Sequence, residues 1–202
     1  MKVFRALSDD PDRVRFLPEV LPWVHEAGNP YFDWVFGGPV QARRTLGDWM
    51  QRDSSEVSLA RVVLLLEDEA PLGGFISMGG EELLSCRKAD TLAVLNDPNE
   101  AWKAETCHRL EAVRGLFPFG GADQYYLSKV GIAAYARGQG LGRVLTEAYL
   151  ERGRSAGFTR FRLDVCSENQ PALRLYTSLG FRVVSESVSD EAKLRYLALV
   201  KE

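Results

Sequence analysis

An α/β (α+β) fold, a mixed β-sheet with helices on its faces, is what this 202-residue sequence predicts. Three observations carry that expectation. From Gln124 onward, strand-like and helix-like segments alternate in regular order. Earlier, "RVVLLLEDEAPLGGFISMG" sets two β-rich runs around a charged turn. The balance of 46% hydrophobic and 26% charged residues is that of a globular chain able to build a core. The length suits one domain, and residues 1–202 are read as one.

Taken in order, residues 2–7 read as a short strand and "DPDRVRFLPEVLPWVHEAG" as helical segments interrupted by Pro18 and Pro22. "NPYFDWVFGGP" reads as a loop dense in aromatics, followed by a helix from Val40 to Arg52. In the hairpin, the charges of Glu67–Leu72 and Pro71 mark the turn. Residues 80–122 form a helical excursion between two strands. Asp97-Pro98 starts a helix there, and Trp102, Thr106, Leu110, Val113 and Phe117 follow at helical spacing. About 40 residues can hardly bury a core of their own, so no second domain is expected.

"QYYLSKVGIA" is a strand. Simple alternation assigns Tyr125, Leu127, Lys129 and Gly131 to one face and Tyr126, Ser128, Val130 and Ile132 to the other. A glycine-rich turn opens a helix with Leu141, Val144, Leu145, Ala148 and Tyr149 on one stripe, closed by Gly157. "TRFRLDV" is a further strand, "NQPALRLYTSLG" a further helix, and "FRVVSESV" with "LRYLALVK" two closing strands.

Several function classes are disfavoured. A net charge of −3 provides no basic footprint for nucleic acid. The longest uncharged apolar run, Val62–Leu66, is far below the roughly 20 residues of a membrane helix. The N-terminus turns charged too early for a secretory signal, and Cys86, Cys107 and Cys166 are widely spaced. Reduced structural thiols in a cytoplasmic protein are expected. His25 and His108 fall in no metal-binding spacing, so no metal is expected.

The sharpest motif is the glycine turn "YARGQGLGRVL". A strand that ends in such a turn and opens a helix traps anions, because the first helical N–H groups lack partners and the helix dipole favours negative charge. Arg137 and Arg143 add charge at the rim. No GxxxxGK string is present, and a GxGxxG begun at Gly138 ends on Arg143. What fits is Arg/Gln-x-x-Gly-x-Gly/Ala at Arg137-Gly138-Gln139-Gly140-Leu141-Gly142. A second block, "NQPALRLYTSLGFRVV", fits N-x-x-A-x-x-L-Y-x-x-x-G-F at Asn169, Ala172, Leu175, Tyr176, Gly180 and Phe181. Through these two blocks, over about residues 124–184, the chain resembles the GNAT superfamily of acyl-CoA-dependent N-acetyltransferases.

The resemblance implies a mostly antiparallel, splayed sheet of about 6–7 strands flanked by helices, and acetyl-CoA as acyl donor. The pyrophosphate would sit on the N–H groups of Arg137, Gly138, Gln139, Gly140, Leu141 and Gly142. Pantetheine would run along the strand ending at Ile132, with the N–H of Ile132 or Ala133 polarising the thioester carbonyl. Asn169 corresponds to a residue that holds pantetheine or orders the loop; a plain helix N-cap is equally compatible. Tyr176 corresponds to the general acid that protonates the leaving thiolate.

The acceptor amine needs a base, and the glutamate many relatives carry on the strand before the loop is absent here. Asp123 is the candidate in its place, with Glu81 and Glu82 as alternatives; His108 reads as an exposed helical residue. The aromatics Tyr31, Phe32, Trp34 and Phe36 lie where the family lines its acceptor groove; capping the core serves them equally well. The implied activity is direct N-acetylation of a small-molecule or peptide amine within a ternary complex. A non-catalytic acyl-CoA sensor on the same fold is the alternative. The acceptor's identity and any homodimer are left open.

Overall fold

The computed structural model describes residues 1–202. Strand β1 (Lys2–Ala6) precedes helices α1 (Leu17–Ala27), α2 (Tyr31–Phe36) and α3 (Pro39–Met50). The hairpin of β2 (Val62–Glu67) and β3 (Ala70–Gly79) leads into α4 (Gly80–Leu95) and α5 (Glu100–Val113). Then follow β4 (Gln124–Ile132), α6 (Leu141–Ser155), β5 (Arg160–Cys166), α7 (Gln170–Ser178), β6 (Arg182–Ser189) and β7 (Leu194–Lys201). The seven strands form one sheet in the order β1-β2-β3-β4-β5-β7-β6. Every neighbouring pair is antiparallel except β4 with β5. This is the mixed, mostly antiparallel sheet with flanking helices that the sequence predicts.

The exceptional pair is short. β4 and β5 are paired only from Gln124–Arg160 to Leu127–Leu163. Beyond that point β4 continues to Ile132 along β3 alone, while β5 continues to Cys166 along β7. The sheet therefore opens into a gap between its two middle strands.

Helices cover both faces. Val20 and Trp23 of α1 and Leu46 of α3 pack on one face with Leu64, Ile76, Met78 and Tyr126. On the other, Leu145 and Tyr149 of α6 and Tyr176 of α7 pack with Phe75, Leu127, Phe161 and Leu163. The simple alternation expected for β4 fails at one residue. Leu127 is opposite Ser77 and Lys129 is opposite Ile76, so Ser128 is an extra residue, a β-bulge. After the bulge the faces exchange. Val130 and Ile132 join Leu127 against α6 and α7. Gly131 lies under Trp23, where a Cβ would come within 2.6 Å of the indole. Ser128 and Lys129 both end on the face that carries α1–α5, beside Glu56.

Three further differences have local causes. The aromatic segment expected as a loop contains α2, ended by Gly37 in the left-handed region at φ 85°. The two prolines do not break α1: Pro18 sits in its first turn, and Pro22 removes only one N–H from the ladder. Pro71 lies within β3 rather than in the turn, beside the Leu65/Leu66 register shift, and Asp68 and Glu69 make the turn itself. The excursion holds two helices, α4 and α5. Its ends meet again in the sheet, where Gly79 is paired with Tyr125.

A single hydroxyl binds the closed end of the middle pair to the helix after the glycine turn. Fully buried Tyr149 points its Oη at the carbonyls of Tyr125 on β4 (2.6 Å) and Arg162 on β5 (3.2 Å). Tyr149→Phe keeps the ring and removes the donor. Its expected cost is about 1–2 kcal/mol of unfolding free energy, read from urea unfolding with an unchanged m-value.

Candidate active site

The glycine turn is shaped as an anion seat. Gly138 and Gly140 have φ of 78° and 74°, and the space a Cβ would occupy at either is open. Gly140 is the N-cap of α6 and no side chain caps that end. The N–H groups of Gly138–Gly142 find no acceptor within the chain. α7 closes on this turn: a Cβ at Gly142 would stand 3.2 Å from Leu175, and Arg143 donates to Ser178 Oγ (2.8 Å). Arg137 is tethered instead of free, donating to the Ile132 carbonyl (3.3 Å) and pairing with Glu26 of α1 (2.5 Å).

Next to the turn, β4 offers backbone to the gap. Ala133 donates its N–H to the Leu72 carbonyl (2.9 Å), which makes that pair a hydrogen-bonded one. Antiparallel pairing alternates hydrogen-bonded pairs with pairs whose polar groups turn away. Ile132, opposite Gly73, and Val130, opposite Phe75, therefore direct their N–H groups away from β3 and into the gap. Tyr176 of α7 belongs to the cluster that includes Ile132 and Leu141 and packs its ring on Phe181 (5.9 Å). Burial pushes its phenol well above the usual range.

On the other face of the sheet, a cavity of about 540 Å³ lies between α2, α4, α5 and β4. Its polar end adjoins the gap. Glu56, from the loop between α3 and β2, accepts from Ser128 Oγ (2.5 Å) and Arg87 Nε (3.0 Å) and lies 3.6 Å from Lys129 Nζ. Arg87 also donates to Tyr126 Oη (3.2 Å), and Tyr126 donates to Asp164 (2.7 Å). Asp164 accepts in addition from Arg162 (3.2 Å). Asp90 holds the Glu56 loop, accepting from its N–H (2.9 Å) and from Arg52 (3.0 Å). Lys129 sits over the Phe32 ring at 5.3 Å.

These groups differ in their affinity for protons. Burial alone would raise the Glu56 carboxyl, but Arg87, Lys129 and Ser128 outweigh it and hold the group at about 2. Asp164 is raised by burial in spite of Arg162 and Tyr126, and Asp90 is raised to about 6, also by burial. Burial lowers Lys129, with Glu56 opposing. At the polar end, then, one carboxylate is firmly ionised and another has the greater affinity for a proton.

Several expected site residues fall elsewhere. Asp123 lies nine residues before Ile132, about 30 Å along an extended strand, and its exposed carboxylate pairs with Arg160 (2.6 Å). It is outside the site. Ala133 has its N–H occupied by the Leu72 carbonyl, whereas the Ile132 N–H turns into the gap. Tyr31, Phe32 and Phe36 line the cavity; Trp34 does not, and packs on the adjoining core. Asn169 is the N-cap of α7, accepting the Ala172 N–H (3.2 Å). Glu81 is exposed, Glu82 is an exposed partner of Arg61 (2.9 Å), and His108 meets only Glu191 (3.1 Å) at the surface.

Sequence reasoning missed Glu56, Arg87, Lys129 and Asp164. A signal existed for Asp164: in "RFRLDV" the apolar residues alternate with Arg160, Arg162 and Asp164, which puts three charges on one face of a middle strand. Glu56, in a loop, carries no such signal.

The family model described as "Acetyltransferase (GNAT) family" matches residues 48–181 of this chain. The chain belongs to that family. It is 26% identical to rat N-acetyltransferase 8F1 over 110 residues, half of each chain. It is 52% identical to mycothiol acetyltransferase from Thermomonospora curvata over 52 residues, 26% of this chain and 18% of the other. The chain thus spans half or less of these relatives' lengths. Among solved structures, an N-acetyltransferase from Staphylococcus aureus Mu50 superposes with a TM-score of 0.74 at 19% identity, covering 98% of this chain and 100% of the other. GNAT membership makes acyl transfer the chemistry to test.

The ionised Glu56 has a thermodynamic signature. Its carboxyl titrates at about 2 when folded, against an ordinary value of 4.5. A depressed pKa contributes stability that is complete above the unfolded value and is lost as pH falls toward the folded one. The stability difference between the natural chain and Glu56→Gln should therefore be constant above pH 4.5 and shrink between pH 4.5 and about 2. Chemical unfolding of both proteins across that interval measures it; a flat difference would mean that the ion pairs do not hold the carboxylate.

Proposed function

We propose that this chain transfers an acetyl group from acetyl-CoA to a primary amine, by direct attack with both substrates bound. The observation that carries this reading is a convergence at one gap. The N–H groups of Val130 and Ile132 turn into it, the unpaired N–H groups of Gly138–Gly142 adjoin it, and the polar end of the cavity reaches it through Ser128, Lys129 and Asp164. A donor held along β4 and an acceptor held in the cavity would meet where β4 and β5 part.

Each part has a chemical task in this reading. The N–H groups of Gly138–Gly142 hold the pyrophosphate, and open space above Gly138 and Gly140 admits it. The Ile132 N–H polarises the thioester carbonyl, most strongly as negative charge develops on its oxygen. Asn169 spends its oxygen on the helix cap, so it meets pantetheine through its NH₂ group. Tyr176 stays protonated and passes its proton to the thiolate as the C–S bond breaks, regaining one from the acylated nitrogen; burial raises the phenol and so keeps this contribution modest. An amine of pKa about 10.4 must shed a proton before attack. Tyr126 Oη takes it while passing its own proton to Asp164, its partner at 2.7 Å. Glu56, held ionised by Arg87 and Lys129, fixes the Ser128 hydroxyl and the Lys129 ammonium beside the gap.

The competing reading, a non-catalytic acyl-CoA sensor, is favoured by the absent strand glutamate; the Tyr126–Asp164 hydrogen bond at 2.7 Å supports the transferase reading instead. Free-thiol release from acetyl-CoA, measured with and without a set of primary amines, separates the two. Amine-dependent release is expected; tight CoA binding with no release on any amine would favour the sensor. In the active protein, Asp164→Asn should lower kcat by roughly 100-fold with the KM for acetyl-CoA kept. Tyr176→Phe should lower it by about tenfold, since a thiol of pKa about 8.5 leaves readily. Gly140→Val, strained at φ 74°, should instead raise the KM for acetyl-CoA by at least about tenfold.

A further inference from the structure

The cavity is asymmetric, and its asymmetry bears on the acceptor. Fifteen of its twenty-five lining residues are hydrophobic, and the buried ion pairs gather at the end next to Ser128 and Lys129. Phe36, Val94, Leu95, Leu110 and Val113 line the far part, on α2, α4 and α5, whereas Phe117 adjoins Arg87. At 540 Å³ the space suits a small organic molecule. We infer that the acceptor is a singly charged primary amine on an aromatic or branched aliphatic body, its nitrogen at the Glu56–Asp164 end and its body against α4 and α5. The inference rests on the transferase reading above.

Charge pairing argues against a polyamine. Of the buried carboxylates at the polar end, Glu56 is held by Arg87 and Lys129 and Asp90 by Arg52, which leaves Asp164, beside Arg162 and reached through Tyr126, to serve one nitrogen only. A second ammonium would have to lie among Val94, Leu110 and Val113, where nothing replaces its water. The other charged lining residues, Glu111 and Arg114, are exposed at the rim and pair with each other at 3.2 Å. Peptide backbone is disfavoured for a related reason, since its N–H and C=O groups would find few partners on these walls. An apolar body loses nothing polar on entering and gains contact with aromatic rings.

The test uses the full chain, acetyl-CoA and thiol release, with 2-phenylethylamine and 3-methylbutylamine set against spermidine and a short peptide with a free N-terminus. The apolar amines should exceed the other two in kcat/KM by at least about 100-fold. Leu110→Trp fills the far part of the cavity and should raise the KM for 2-phenylethylamine at least about tenfold, leaving the KM for acetyl-CoA unchanged. Leu110→Glu supplies the missing second carboxylate and should improve turnover of spermidine. Preference for spermidine or the peptide in the natural chain, or no effect of Leu110→Trp, would overturn the inference and leave the transferase reading standing. If no amine is acetylated, that reading fails, and calorimetry of 2-phenylethylamine with the CoA-loaded protein decides the cavity's selectivity. Binding that Leu110→Trp abolishes supports it, and absence of binding overturns it.

Discussion

Four residue pairs of parallel sheet, from Gln124–Arg160 to Leu127–Leu163, set the geometry on which the rest of this protein depends. A longer pairing would have sealed the middle of the sheet and satisfied the backbone of Val130 and Ile132 from β5. No pairing at all would have left two half-sheets with no fixed relation. Antiparallel neighbours hold each strand past the point of separation, β3 for β4 and β7 for β5. Tyr149, reaching both strands at the closed end, ties that hinge point to the helix that begins at the glycine turn. The gap is thus a property of strand pairing, and the unpaired N–H groups in it follow from elementary sheet geometry.

The bulge at Ser128 complements the gap. One extra residue lets β4 present Ser128 and Lys129 to the cavity and then Val130 and Ile132 to the opposite cluster. A regular strand could not place two consecutive side chains on one face. The cavity's polar end therefore combines groups from distant segments: a loop carboxylate at Glu56, a helix cation at Arg87, and strand residues Tyr126, Lys129 and Asp164. Burial makes such a cluster costly unless each charge has a partner, and each has one.

The sequence was most legible where periodicity and local motifs speak. The alternating elements after Gln124, the hairpin, the glycine turn and the block from Asn169 to Phe181 were all found at their places. Boundaries blurred where prolines and aromatics mislead, as at α2, whose short turn reads as loop because Pro30 and Gly37 crowd it. Face assignment failed at Ser128 because a bulge is specified by the partner strand and leaves no mark in the strand's own pattern. Asp123 stands in for the absent strand glutamate only by lying at the start of that strand, and an extended strand carries its start far from the gap. Glu56 was invisible for the converse reason: its partners lie 31 and more residues distant, and only the tertiary fold unites them.

The excursion from Gly80 to Asp123 leaves the sheet and returns to it at neighbouring positions, since Gly79 and Tyr125 are paired. An insertion of that kind is modular. Its length, helix content and inner surface can change without altering strand register, because its two ends remain anchored by the same rung of the ladder. The glycine turn and the outward edge of β4 lie on the far side of that rung, in separate segments of chain. On the transferase reading proposed above, recognition of the acceptor can therefore diversify while the apparatus for the donor stays fixed, as one hairpin of helices is exchanged on a constant scaffold.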